Sequence, residues 1–224
     1  MALAMLLCGI TAGPDVLAQR PSDSAGNFYE DATRLIARGD VAGGMIQLRN
    51  ALQRDGGHVP SLLLFGETML AEGDANAAAQ LASEALLQGA DPLLALPTLI
   101  SAYLEQGAWS DLLREVRVAD APAALLADVL GVRAQAYIAL NRLTDAAVAL
   151  RRCLELDPRN TYGRLADVTL ALRRGQLPEA ETKARELVAA RPEDSRAWNS
   201  YASTLHATGQ VGPAIDAYRE AIAL

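Results

Sequence analysis

Cys8, Cys153, His58 and His206 are the side chains of this 224-residue chain best suited to hold a metal or act as a nucleophile. Their spacing suits neither task. A structural zinc takes Cys and His ligands in close pairs, whereas the two cysteines lie near position 8 and position 153 and the histidines are equally scattered. Two cysteines cannot build a disulfide framework, and neither histidine belongs to an HExxH pattern. Lys183 is the only lysine and follows Thr182 rather than a glycine-rich turn, which excludes a phosphate-cradling loop. Gly39, Gly43 and Gly44 lead into Met45, which makes them a turn with small packing positions. No cofactor, metal or catalytic set is expected.

Composition points to the elements that must do the work instead. Hydrophobic residues make up 51% of the chain but aromatics only 4%, so any core is aliphatic. Ala and Leu supply about a third of all residues, and both are strong helix formers. Sheets want β-branched and aromatic side chains, so an all-β fold is excluded. The formal charge of −7 speaks against a nucleic-acid partner, which would require a basic face.

Residues 1–18 read as an export signal or apolar leader. The run at 2–12 is too short to span a bilayer, and Val16-Leu17-Ala18 before Gln19 resembles a small-residue cleavage site. Cys8 offers an alternative in which a lipid tethers the chain to a membrane. Residues 19–26 are polar and read as a linker.

An internal period organises the rest. Gly39, Gly73, Gly107, Asn141, Gly175 and Gly209 recur every 34 residues without an insertion. Each follows one helical apolar pattern and precedes another, as expected where a left-handed residue ends a helix. Five residues after each marker stand Gly44, Ala78, Leu112, Ala146, Ala180 and Ala214. Seven before it stand Ala32, Gly66, Ile100, Ala134, Val168 and Ala202; twelve after it, Ala51, Ala85, Ala119, Cys153, Leu187 and Ala221. Mostly small residues at these beats let antiparallel helices approach and stack. Asp157-Pro158 and Arg191-Pro192 close the later units. The expected fold is all-α: a right-handed superhelical solenoid of six helix pairs over residues 27–224, with repeats near 27–58, 59–92, 93–126, 127–160, 161–194 and 195–224. The third is expected to pack least regularly, because Ile100 and Leu112 replace small residues and Val116 to Val118 dilute its second helix. The last is incomplete, so further repeats are expected downstream.

This pattern resembles the tetratricopeptide repeat, most fully in the sixth unit with Trp198, Tyr201, Ala202, Gly209, Ala214, Tyr218 and Ala221. The strings Ile46-Gln47-Leu48-Arg49-Asn50-Ala51-Leu52-Gln53, Leu86-Leu87-Gln88-Gly89-Ala90-Asp91-Pro92 and Leu112-Leu113-Arg114-Glu115-Val116 are similar to the PEP-CTERM system repeat lipoproteins. That resemblance implies export and a scaffolding role in exosortase-linked surface-protein sorting or exopolysaccharide assembly.

Solenoids of this kind present the first helix of each pair to a concave groove. The inward positions are Tyr29 and Thr33; Leu63, Glu67 and Leu70; Ser101 and Leu104; Gln135 and Ile138; Thr169 and Leu172; Asn199, Ser203 and His206. The first three repeats hold no basic cluster that could clamp a terminal carboxylate. The groove therefore suits an amphipathic or extended peptide of another protein. A non-enzymatic interaction scaffold is the reading favoured here. The alternative is the helper region of a larger enzyme, a glycosyltransferase or peptidase, whose catalytic domain lies beyond Leu224.

Overall fold

The computed structural model describes residues 24–224. The apolar leader, its cleavage site and Cys8 lie outside the described residues. Twelve α-helices and no strand occur among the described residues. The chain divides into two compact units between His58 and Val59.

The first unit contains α1 (Ala25–Ala37) and α2 (Val41–Arg54). Ser24 caps α1, its hydroxyl accepting a hydrogen bond from the Asn27 amide at 3.2 Å, so Ala25 and Gly26 belong to the first helix rather than to a linker. Asp40 caps α2 in the same way through the Gly43 amide. Gly44 lies so close to α1 that a Cβ there would collide with Ile36 Cγ1, and Leu48 and Ala51 complete the buried face of α2.

The second unit holds five more pairs: α3 (Val59–Ala71) with α4 (Ala75–Leu87), α5 (Pro92–Gln106) with α6 (Trp109–Glu115), α7 (Leu126–Ala139) with α8 (Leu143–Leu156), α9 (Thr161–Arg173) with α10 (Leu177–Ala190), and α11 (Ser195–Ala207) with α12 (Val211–Ala223). Partners within each pair pack on one another, and first helices also meet directly, α3 on α5 and α9 on both α7 and α11. Nearly continuous aliphatic packing follows from the composition: Leu99, Ile100 and Leu112 join Val129 and Val132 in one cluster, and Ala134, Ile138, Ala146 and Leu150 join Ala166 and Leu170 in the next.

The markers of the 34-residue period all have positive φ, from 57° at Asn141 to 85° at Gly39. In each turn the marker amide bonds back three residues and the next amide bonds back five, as in Gly73 N to Leu70 O and Asp74 N to Met69 O. That closure satisfies the carbonyls left over at a helix end. The positions five after and seven before each marker are buried in all six repeats.

The third repeat departs from the pattern. Its second helix, α6, has seven residues, where the other second helices have 13 or 14. The chain then makes two short 3₁₀ turns, Val118–Asp120 and Ala123–Leu125, and Ala119, expected at a packing beat, is exposed. Pro122 forbids a regular helix through Ala121, and Val116 and Val118 are weak helix formers. Arg133 on α7 fixes the stop: its guanidinium donates to the carbonyls of Leu113 at 2.8 Å and Val116 at 2.9 Å. Those bonds occupy carbonyls that a longer helix would use itself.

Candidate functional face of the first helices

In the second unit each pair presents side chains of its first helix on one face, and these fall into three groups. Glu67 on α3 and Asn199 and His206 on α11 are exposed. Leu63, Leu70, Ser101, Leu104, Gln135, Thr169, Leu172 and Ser203 are half-buried. Ile138 is 2% exposed and sits in the core with Ala134 and Ala146. It supports the face from beneath and offers nothing to a partner.

Several of the polar groups are already engaged. The Gln135 amide donates to the Tyr162 carbonyl at 3.0 Å, tying α7 to α9. The Thr169 hydroxyl donates to Leu165 O at 2.9 Å within its own helix. Ser203 shares a 3.2 Å hydrogen bond with Tyr218 OH of α12. In the first unit, the Thr33 hydroxyl donates to Tyr29 O, and the Tyr29 ring meets His58 edge-on at 5.9 Å. The polar groups of Glu67, Asn199 and His206 reach solvent and are the most available for recognition.

Nothing in this arrangement activates a nucleophile. Cys153 lies fully buried on α8, with its thiol directed at Ala127 O. Burial first, and then the nearby carboxylates of Asp128 and Asp157, push the thiol up to about 12. The thiolate that does covalent or redox chemistry is therefore withheld at neutral pH. Among the described residues no group of three His, Cys, Asp or Glu side chains could hold a metal ion.

The electrostatic cluster that the sequence reading missed lies away from this face, where α4, α5 and α6 meet. Ser83 Oγ and Tyr103 OH each donate to Glu115 Oε2 at 2.7 Å, while Arg114 pairs with Glu115 Oε1 at 2.9 Å and with Asp111. Desolvation opposes the Glu115 charge, yet hydrogen bonds from Tyr103, Ser83 and Arg114 outweigh it and hold the carboxyl below its ordinary range. Burial, reinforced by the hydrogen bond to Glu115, pushes the Tyr103 phenol up to about 12. Residues 32 apart in sequence, as Ser83 and Glu115 are, carry no local pattern that would announce their meeting.

Stacked helix pairs of constant length, closed by a left-handed residue and packed through small side chains, define a helical repeat protein. Two segments of this chain, residues 127–160 and 195–224, match the tetratricopeptide repeat family model. No curated protein matches the chain. Among solved structures, a tetratricopeptide repeat protein from Parabacteroides merdae ATCC 43184 is similar with a TM-score of 0.65 and 19% identity, over 89% of this chain and 79% of that one. MamA residues 41–end from Desulfovibrio magneticus RS-1 gives 0.62 at 18% identity, over 76% and 97%. TTC0263, a thermophilic protein with the same repeat from Thermus thermophilus, gives 0.54 at 22% identity, over 81% and 98%. At these identities the likeness is one of fold.

Proposed function

We propose that this chain is a non-enzymatic protein-interaction scaffold that holds a peptide segment of another protein against the first helices of its repeats. The observation that carries this reading is the array itself: α3 exposes Glu67 and α11 exposes Asn199 and His206, with Leu63, Leu70, Leu104 and Leu172 half-buried on α3, α5 and α9. An amphipathic or extended peptide finds aliphatic contact there, with amide, carboxylate and imidazole groups to fix its register. The chain works outside the cytoplasm. The apolar run at 2–12 and the Val16-Leu17-Ala18 site support export, with a mature chain from Gln19 or a lipid tether at Cys8. Its resemblance to the PEP-CTERM system repeat lipoproteins supports a role in exosortase-linked surface-protein sorting or exopolysaccharide assembly.

Site-specific photo-crosslinking in cells carrying the native gene tests both halves. A photoreactive residue at Glu67 or Asn199 is expected to capture a discrete partner that the same residue at Arg151, on the second helix of its repeat, does not. Equal capture from both positions overturns the assignment of the face. Fractionation of the same cells tests the location, and an intact leader recovered in the cytoplasm overturns export.

A further inference from the structure

Arg159, Arg164 and Arg191 line one cavity of about 330 Å³ in the second unit, together with Leu187 and Ala190. Arg159 stands in the turn before α9, Arg164 in the first turn of α9, and Arg191 directly after α10. The 34-residue period sets this group apart. Positions equivalent to Arg164 are Phe28, Leu62, Leu96, Leu130 and Trp198, and the three leucines are only 2–3% exposed. The fifth repeat alone places a cation where the others carry a large apolar side chain at the start of the first helix. Positions equivalent to Arg191 are Asp55, Gly89, Ala123 and Asp157, and those equivalent to Arg159 are Gly57, Asp91, Leu125 and Glu193. No other repeat has a basic residue at any of these three beats.

Charge at the cavity is not balanced from within, because no acidic side chain lines it. Arg164 pairs with Glu186 of α10 at 3.3 Å. Among the described residues neither the Arg159 nor the Arg191 guanidinium has an ion-pair or hydrogen-bond partner. Acids of the flanking turns are engaged otherwise: Asp157 accepts from the Arg159 amide at 2.9 Å, and Asp194 holds Arg196 at 2.9 Å. Three guanidinium groups against the one carboxylate of Glu186 leave a surplus of two positive charges. The start of α9 and the end of α10 both border the cavity, so the opposite partial charges of those helix ends offset. Leu187, 1% exposed, gives the cavity an aliphatic base.

We propose that this cavity binds a phosphate monoester. Such a group carries about −1.5 to −2 charges at pH 7, which matches the surplus, whereas a single carboxylate leaves half of it uncompensated. Guanidinium forks meet phosphate oxygens with paired N–H donors. Arg159 and Arg191 are exposed and engage the ligand without giving up a bond. None of these residues belongs to the face of the first helices, so either assignment can fail without the other.

Calorimetric titration of the full chain with glucose 6-phosphate at physiological salt tests the site, with acetate as the singly charged comparison. Acetate is expected to bind at least about tenfold more weakly. Arg159→Gln and Arg191→Gln each remove one unpaired charge and are each expected to weaken glucose 6-phosphate binding about tenfold. Arg173→Gln removes the same charge from an exposed position at the far end of α9 and is expected to leave the affinity unchanged. Arg164→Leu installs the residue of repeats two to four and is expected to abolish binding without lowering the melting temperature. Phosphatidylcholine vesicles containing phosphatidic acid present the same monoester on a lipid. Flotation with those vesicles that Arg159→Gln and Arg191→Gln abolish, with glucose 6-phosphate inert, assigns the site to a lipid headgroup, and the reverse assigns it to a soluble ester. Binding of neither probe overturns the proposal. So does equal weakening by Arg173→Gln, which reduces the interaction to unspecific charge, or acetate binding as tightly as the phosphate ester.

Discussion

Gly131 on α7 touches the start of α9 so closely that a Cβ there would fall 2.8 Å from both the Gly163 amide nitrogen and Tyr162 Cβ. Gly131→Ala is expected to push the two helices apart and cost about 1–3 kcal/mol in thermal or denaturant unfolding. Ala146 and Ala180 are fully buried at the packing beat, so leucine at either should cost a similar 1–3 kcal/mol or so, while Arg151→Leu on the exposed face stays within about 0.5 kcal/mol. Equal melting of the buried and exposed variants would show that the register is wrong. Cys153, in a Cys8→Ser background, is expected to react with an aromatic disulfide reagent only after unfolding, because its thiol is both buried and held at about 12. Tyr103 gives a pH signature of its own. Its folded value, about 12, lies above the ordinary 10.0, so the stabilisation is fully present below 10 and lost as pH rises through 12. A spectroscopic titration should show one tyrosine ionising late, and Glu115→Gln should bring it earlier. A tyrosine transition unchanged by that substitution would break the link between the two groups.

At the scale of the helix, the regular pairs were legible and the irregular one only partly so. Six markers at constant spacing fixed where each helix ends, because a left-handed residue is a local requirement that sequence records directly. The weakness of the third repeat could be read from Val116 to Val118. Its cause could not, since Arg133 reaches α6 from the following repeat to bind two carbonyls. Arg133→Met keeps the aliphatic stem and removes both bonds, and is expected to cost about 1–3 kcal/mol. Amide exchange should quicken between Leu113 and Asp120 while α8 to α12 stay protected. Uniform acceleration along the unit would mean that Arg133 does not act locally. The first helices show the same division. Glu67, Asn199 and His206 reach solvent as their helical positions imply, but Ile138 is drawn into the core by its neighbours on α8 and α9. Position along a helix predicts direction, whereas depth depends on what packs above it.

Over the whole chain, energetic independence should follow the contacts. A repeat array is stabilised by each pair and its nearest neighbours, and the third repeat meets the fourth through a short α6 and two 3₁₀ turns in place of a full second helix. Residues 126–224 contain three complete pairs and both segments that match the repeat family. They are expected to fold alone as a helical, cooperatively melting fragment. A fragment without a cooperative transition would show that stability is shared across the break instead. Charge is as unevenly spread as packing. With the net −7 confined to residues 59–126, added salt should weaken encounters of a cationic probe with that region.

Lys183, the only lysine, is clasped between Asp167 at 2.7 Å and Glu179 at 2.6 Å on the wall of α10. Desolvation alone would lower its pKa, but those two carboxylates raise it above the ordinary lysine value. The described surface therefore presents almost no free side-chain amine. Amine-directed reagents, whether for labelling, immobilisation or cross-linking mass spectrometry, will be nearly blind to this molecule. Lys-specific proteolysis has a single internal site, and it lies inside a folded helix. Cutting at Lys183 consequently reports the opening of α10 and nothing else, a built-in clock for one repeat of the array.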